Sequence, residues 1–374
     1  MNTRTYETIL IGGGQAGLAT AYYLTRRKLP FLILDENEEV GAAWRKRWDS
    51  LRLFTPGRYS SLPGMRFPGR PGSYPGKDDV AEYLVKYARK FNFPMHLGVK
   101  VSRLFKQGDR FHIHTSKGMY YAKQVVVATG GFYHPRIPDF ATELNSRIHQ
   151  LHSSEYRTAS QIRTGPVLVV GAGQSGAEIA LDMARKHQVW LSGRDNGEEP
   201  VVRGTLSGHL LTPIFVFVAT KILHVGNPLG RKVRKHFFYP PKGIPRAGGT
   251  KKLLQASPVQ WVGRTTGTKD GYPVLEDGKV VKANTVIWCT GFQTDYRWID
   301  LPIFGRYGYP KHRRGVVSAY PGLYFIGLPF QWSLSSSLIL GVGRDARYIT
   351  RQIASLHREI KNGKTIETTL AGIT

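Results

Sequence analysis

Glycines recur at one spacing in two places, and that spacing suits the binding of phosphate. Gly12-Gly13-Gly14-Gln15-Ala16-Gly17 follows the apolar run Thr8-Ile9-Leu10-Ile11. Gly171-Ala172-Gly173-Gln174-Ser175-Gly176 follows Val167-Leu168-Val169-Val170. Each reads as a strand, a tight glycine turn and a helix. Such a helix start offers free backbone N–H groups and the positive end of the macrodipole to a pyrophosphate. A single GxGxxG is weak evidence, because glycine turns that bind nothing are common. Two matches, each followed by a suitable strand-end residue, point to two dinucleotides.

The strand ends separate the two cofactors. Phe31-Leu32-Ile33-Leu34 ends at Asp35, with Glu36 beside it. A carboxylate there accepts hydrogen bonds from ribose hydroxyls and repels a 2′-phosphate, so the first site is expected to take FAD or NAD. Val189-Trp190-Leu191 ends instead at Ser192-Gly193-Arg194. A hydroxyl and a guanidinium suit a 2′-phosphate, so the second site reads as NADPH. Asp195 one residue later argues the other way and keeps NADH as the alternative.

These sites need elements to carry them. The 374 residues allow one to three domains and a large core. Residues 6–44 read as a β-α-β unit, and 45–76 as a long proline- and glycine-rich loop. A helix is expected over 78–91, strands over 99–105, 111–115, 120–122 and 125–128, and a linker over 133–163. After the second fingerprint, Thr285-Val286-Ile287-Trp288 ends in Cys289-Thr290-Gly291. The chain returns through Leu323-Tyr324-Phe325-Ile326-Gly327 to a final helix from about 337 to 361. The predicted fold class is α/β, with two Rossmann-like dinucleotide-binding domains. Residues 1–160 and 300–374 form the first, and 161–299 form a second inserted into it.

Composition excludes several functions. One cysteine, Cys289, rules out an internal disulfide or a CxxC redox pair. No charged and apolar leader opens the chain, and a cytoplasmic home is the expectation. The formal charge is +27, with basic clusters at 231–236 and 311–314. No nucleic-acid motif accompanies them, and the aromatic residues Phe237-Phe238-Tyr239 interleave only modestly. The broken apolar stretch 210–225, closely followed by a basic cluster, leaves contact with a membrane surface open. His112 and His114 alternate on one strand, but without a third ligand no metal site is expected.

The order of motifs resembles the flavin-containing monooxygenase family, and within it a bacterial branch of flavoproteins described as involved in potassium transport. The resemblance covers nearly the whole chain. Its marks are 12–17, Gly41-Ala42-Ala43-Trp44, Leu51-Arg52-Leu53-Phe54-Thr55-Pro56, Ala128-Thr129-Gly130 and 152–157. They continue with 171–176, Cys289-Thr290-Gly291-Phe292 and 341–346. In the signature FxGxxxHxxx(Y/F)(K/R), His152, Tyr156 and Arg157 fit, whereas Ser146 and Ile148 replace the Phe and Gly. Tyr156 stands where ketone-oxidising relatives carry Trp. Phe54 stands in a segment where many members carry Asn, and it has no donor.

The resemblance implies hydride transfer from NADPH to FAD, a C4a-hydroperoxyflavin, and oxygenation of nitrogen or sulfur in a small lipophilic substrate with O2. A reductase passing electrons to a quinone or a protein is the alternative. The protein's part is to position, shield and tune the flavin. Trp44 and Arg45 are expected beside the isoalloxazine, with Phe54 near it and Gln331 at its pyrimidine edge. Further cofactor contacts are implied at Gly12, Gly14, Gln15, Gly17, Asp35, Glu36, Leu53, Val101, Thr129 and Gly130. Around the second fingerprint they are Gly171, Gly173, Gln174, Ser175, Gly176, Ser192, Arg194, Thr290 and Gly291. Ser335 and Ser336, within Ser333-Leu334-Ser335-Ser336-Ser337, precede the last helix, whose N-terminus would meet charge on the reduced ring.

Overall fold

A computed structural model describes residues 4–131, 134–238, 245–305 and 308–362. The side chains of Phe237 and Phe238, together with Tyr133 and Tyr239, lie outside the described residues. The fold is mixed α/β of the Rossmann type. The helices are α1 (Gln15–Arg26), α2 (Ala42–Arg45), α3 (Lys77–Lys90), α4 (Gln174–Met183), α5 (Leu206–Phe217), α6 (Pro228–Phe238), α7 (Thr250–Gln255) and α8 (Ile339–Lys361).

Two sheets carry the two glycine turns. The seven-stranded sheet runs in the spatial order Met95–His96, Leu32–Leu34, Arg4–Ile11, Gly118–Val127, Arg110–Thr115, Val101–Gln107. Leu323–Phe325 returns to it and pairs in parallel with Gly118–Val127, placing Leu323 opposite Val125. The five-stranded sheet is ordered Gln260–Val262, Val189–Ser192, Val167–Val170, Thr285–Trp288, His149–His152, and the pairings given for it are all parallel. Its central strands are apolar on both faces, as a parallel sheet covered on both sides requires.

Each sheet has a core on either face. On the seven-stranded sheet, Leu10, Ile33 and Val126 pack against α1, α3 and α8. Ile9, Ile11 and Val125 face the other way, toward Leu104, Ile113 and Phe325. The two expected strands at 120–122 and 125–128 are one strand, Gly118–Val127. Gln124 interrupts its apolar pattern yet is fully buried. Its Nε2 donates to the Ile353 carbonyl in α8 at 3.2 Å, and its Oε1 accepts from the Tyr324 hydroxyl at 3.0 Å. Every side-chain donor group and the carbonyl oxygen thus find partners, so burial costs little.

The long 45–76 loop is held by two tyrosines of α3. Tyr83 donates to the Met65 carbonyl and accepts from the Leu62 N–H, both at 2.7 Å. Tyr87 donates to the Pro63 carbonyl at 2.6 Å. Burial pushes the Tyr83 phenol up to about 12, so it stays a protonated donor. The loop is thereby clamped over the C-terminal half of α1, where Gly64 approaches Tyr22.

Candidate functional site

The first glycine turn is built by steric necessity. Gly12 has φ of +112°, and a Cβ there would lie 2.5 Å from the Ala128 carbonyl oxygen. A Cβ on Gly17 would overlap the Gly12 carbonyl. Gly14 differs: its φ is −77°, and a Cβ would find nothing within 4 Å. Its missing side chain therefore serves open space in front of α1 and not the packing of the chain. That helix start has no side-chain cap and no acidic residue in its first turn. Its leading N–H groups lack helical partners and face that space.

Asp35 stands at the neighbouring strand end, as the sequence implied. Its Oδ2 accepts from the Gly13 N–H at 2.5 Å, and its Oδ1 accepts from the Asn37 N–H and Nδ2 at 2.8 and 2.9 Å. The carboxylate is thus fixed beside the turn, with Glu36 exposed next to it. Trp44 Nε1 donates to Gln15 Oε1 at 3.3 Å, and Gln15 Nε2 donates to the Ser337 carbonyl at 3.0 Å. This chain of bonds gathers α2, the start of α1 and the approach to α8. Next to Trp44, Arg45 Nη1 is buried with no hydrogen-bond partner. A buried guanidinium nitrogen left unpaired is costly, and an anionic or carbonyl group of a ligand would satisfy it. Uncapped helix, open cradle, fixed carboxylate and orphaned donor together fit an FAD-type dinucleotide.

Other expected residues are distributed unevenly. Leu53 is buried in the same cluster as Ala16 and Ala128, and Phe54 beside it is half-buried. Thr129 and Gly130 follow Gly118–Val127, where Thr129 N lies close to Gly12. Val101 stands apart, packed against the cluster containing Ile11. Gln331 is not open to a ligand. Its Nε2 donates to the Arg314 and Phe325 carbonyls at 3.2 and 3.0 Å, and its Oε1 accepts from the Leu328 N–H at 3.3 Å. It ties a turn together.

The serine run behaves similarly. Ser333, Ser335 and Ser336 are fully buried. Ser336 Oγ accepts from the Trp332 and Ser333 N–H groups at 3.0 Å each, and the Ser335 and Ser333 hydroxyls bond each other. None caps α8, whose N-cap is Leu338 with no side-chain bond. The hydroxyls therefore shape the loop and leave the N–H groups of α8 uncapped.

The second turn repeats the first. Gly171 has φ of +114°, and a Cβ on Gly176 would overlap the Gly171 carbonyl. Gly173 starts α4 at φ −78° with no side-chain cap and no acid in the first turn. Cys289 stands against Gly171 as Ala128 stands against Gly12, and Thr290 and Gly291 follow it, the Thr290 hydroxyl donating to the Arg136 carbonyl. Ser175 is half-buried in the first turn of α4. Gln174 is committed: its Oε1 accepts from the Ala247 N–H and its Nε2 donates to Glu178, each at 2.5 Å.

Ser192 departs from expectation. It is buried, and its hydroxyl donates to the Gly263 carbonyl at 2.9 Å while accepting from the Thr265 N–H at 2.9 Å. Parallel pairing with Gln260–Val262 turns it into that seam. Arg194 remains exposed at the strand end.

A residue outside every motif governs this end. Arg246 is completely buried, with its Nη1 donating to the Ala172 carbonyl at 3.1 Å and its Nη2 to Asp195 Oδ1 at 2.7 Å. Lys251 approaches Asp195 Oδ2 at 3.2 Å. The hydrogen bond from Arg246 holds the Asp195 carboxyl down at about 2. The carboxylate that argued against a 2′-phosphate is thus neutralised by two cations. Only its distance in sequence hid Arg246 from the motif reading. The second turn fits a phosphorylated dinucleotide.

The partial signature has a structural role. His152 is buried, its Nε2 at 3.0 Å from the Gly291 carbonyl and its Nδ1 at 2.9 Å from Ser154 Oγ. Burial lowers its pKa, and the contacts assign Nε2–H as donor. Tyr156 donates to Asp182 at 2.7 Å, and Arg157 Nη1 donates to the Ser154 carbonyl at 2.7 Å. These residues lock the linker onto the five-stranded sheet. Among the described residues no cluster of His, Cys, Asp and Glu is arranged to hold a metal.

Comparison with known proteins agrees with this geometry. The model of the pyridine nucleotide-disulphide oxidoreductase family matches residues 9–218. An uncharacterized oxidoreductase CzcO-like from Geobacillus kaustophilus is 40% identical over 350 residues, covering 93% of this chain and 98% of the relative. Indole-3-pyruvate monooxygenase YUCCA1 of Oryza sativa subsp. japonica is 33% identical over 181 residues, covering 47% of this chain and 45% of the relative. A doubly substituted flavin monooxygenase from Stenotrophomonas maltophilia superposes with a TM-score of 0.76 at 25% identity, covering 95% of this chain and all of that one. The chain belongs to the pyridine nucleotide-disulphide oxidoreductase family and is a flavin-dependent oxidoreductase whose cofactors are FAD and NADPH.

Proposed function

We propose that the protein is a monooxygenase that transfers oxygen from O2 to nitrogen or sulfur of a small lipophilic molecule. The observation that carries this reading is the pair of uncapped glycine turns, one beside a fixed Asp35 and the other beside a neutralised Asp195. FAD bound here would supply the hydride-accepting and dioxygen-activating chemistry. The chain's own residues hold and shield it. The N–H groups of α1 bind the pyrophosphate and Asp35 the ribose, while Trp44, Leu53 and Phe54 wall off water. The uncapped start of α8 faces the charge that reduction builds, and Arg45 supplies a further donor. Residues 161–299, onto whose sheet the strand His149–His152 pairs, serve as an NADPH domain inserted between the two parts of the FAD domain, 1–160 and 300–374, and a cytoplasmic setting suits this chemistry.

The disulphide chemistry in the family's name finds no dithiol here, because Cys289 is the chain's one cysteine. The second reading is a reductase that serves a quinone or protein acceptor; Phe54, which cannot donate a hydrogen bond, favours it. Turnover of a panel of thioethers and tertiary amines under isotopically labelled O2 tests the choice. Label in the product establishes oxygen transfer. NADPH consumption matched entirely by peroxide, with rapid reduction of quinones, establishes the reductase.

A further inference from the structure

Helix α5 is amphipathic in the wrong direction for a protein surrounded by water. Its small residues face inward: Gly208 and Thr212 are buried, and a Cβ on Gly208 would overlap the Val202 carbonyl. Its large apolar residues face outward: Leu206, Leu210, Ile214 and Phe217 are 78, 68, 60 and 57% exposed. Their i, i+4, i+8, i+11 spacing lines them along one face. A contiguous exposed stripe of this kind marks an interaction surface.

The charge beside the stripe identifies the partner. The helix runs through a π-turn, Val218–Ile222, into α6. Asn227 fixes the junction, donating to the Ile222 carbonyl at 2.6 Å and accepting from the Gly230 N–H at 2.7 Å. On α6, Arg231, Lys232 and Lys235 are exposed. No aspartate or glutamate occurs between Glu199 and Asp270. Exposed apolar side chains followed by exposed cations, with no acid in 70 consecutive residues (200–269), complement an anionic lipid surface. Among the described residues no helix is long and apolar enough to cross a membrane. We propose that α5 and α6 dock the protein peripherally on an anionic phospholipid bilayer, with the α5 stripe inserted at the headgroup boundary and the α6 cations on the lipid phosphates.

The test is sedimentation of the full-length, FAD-loaded chain with vesicles of equal parts phosphatidylcholine and phosphatidylglycerol, and with phosphatidylcholine alone. Binding is expected to the mixed vesicles, and it should weaken as salt rises. Lys232→Gln with Lys235→Gln should weaken it about 25-fold at low salt, about fivefold for each cation removed. Leu210→Ser with Ile214→Ser should weaken it by roughly tenfold or more per side chain. These side chains are exposed, so both variants should keep the wild-type melting temperature; the charge variant decides the matter even if the apolar one does not fold. Failure to sediment, or equal affinity for both vesicle types, overturns the proposal. So does a wild-type dimer that Leu210→Ser with Ile214→Ser dissociates without any vesicle binding, since the stripe would then cover a second copy.

Discussion

Gly14→Ala separates the architecture of the first turn from its proposed task. Of the four glycines in that fingerprint, Gly14 is the one whose added Cβ would meet no protein atom within 4 Å, and its φ of −77° suits alanine. The unliganded fold should be unaffected or slightly stabilised, by about 0.5 kcal/mol through the unfolded chain. The new methyl would occupy the space through which α1 meets a pyrophosphate. Displacing the phosphate from one or two charge-assisted N–H contacts costs about 1.5–3 kcal/mol each, or roughly tenfold to a hundredfold in affinity per contact. The assay is FAD titration of apoprotein by flavin fluorescence, beside thermal melts with and without FAD. The expected result is an unchanged apo melting temperature and the loss of most FAD-induced stabilisation. Wild-type FAD affinity in Gly14→Ala would refute the placement of the cofactor. A collapsed apo melting temperature would refute the claim that the cradle is open.

Gly17→Ala should do the opposite, destabilising the apoprotein by about 3 kcal/mol through the clash with the Gly12 carbonyl, seen as a lower melting temperature before any cofactor is added. Arg246→Met should raise the KM for NADPH by roughly tenfold through loss of the Ala172 tether, a charge-assisted bond; unchanged NADPH kinetics would remove Arg246 from that site. Cys289→Ala should leave turnover intact, and an inactive but folded variant would restore a role for the thiol. Burial, reinforced by Arg234, holds His312 down at about 4, and its Nδ1 accepts from the Gly315 N–H. The folded chain then binds fewer protons than the unfolded one between about pH 6.5 and 4, so stability should fall as pH drops through that window, by up to about 3 kcal/mol. His312→Asn should flatten melting temperature against pH over that range; an unaltered slope would place the titration elsewhere.

The glycine turns were legible because much of what they require is local: the positive φ of Gly12 and Gly171, and the clash of any Cβ on Gly17 or Gly176 with the carbonyl five residues earlier, lie within the fingerprints themselves. Asp35 was legible for the same reason, since strand length fixes where a strand end falls. What escaped depends on contacts between distant segments. Ser192 was placed correctly on its strand, but pairing with Gln260–Val262 turned its hydroxyl to Gly263 and Thr265. Gln331 and the serine run looked like ligand groups because polar residues near a helix start usually cap or bind; here they satisfy one another and the backbone. Gln124 split one strand into two apparent ones, because its partners Tyr324 and Ile353 are remote. Arg246 carries no pattern at all, and only the fold brings it to Ala172.

The return of Leu323–Phe325 to Gly118–Val127 bears on the order in which the molecule assembles. Tyr324 closes on Gln124 across 200 residues, and α8 packs on α1. The first sheet and its helical cover are therefore unfinished until nearly the whole chain has left the ribosome. The five-stranded sheet draws only on residues 149–288 and has shorter loops to close. Pulse-labelled hydrogen exchange during refolding should find amides of Val167–Val170 and Thr285–Trp288 protected before those of Ile9–Ile11 and Val125–Val127. The middle of the chain would then mature first, and the FAD cradle, although encoded at the start, would close last.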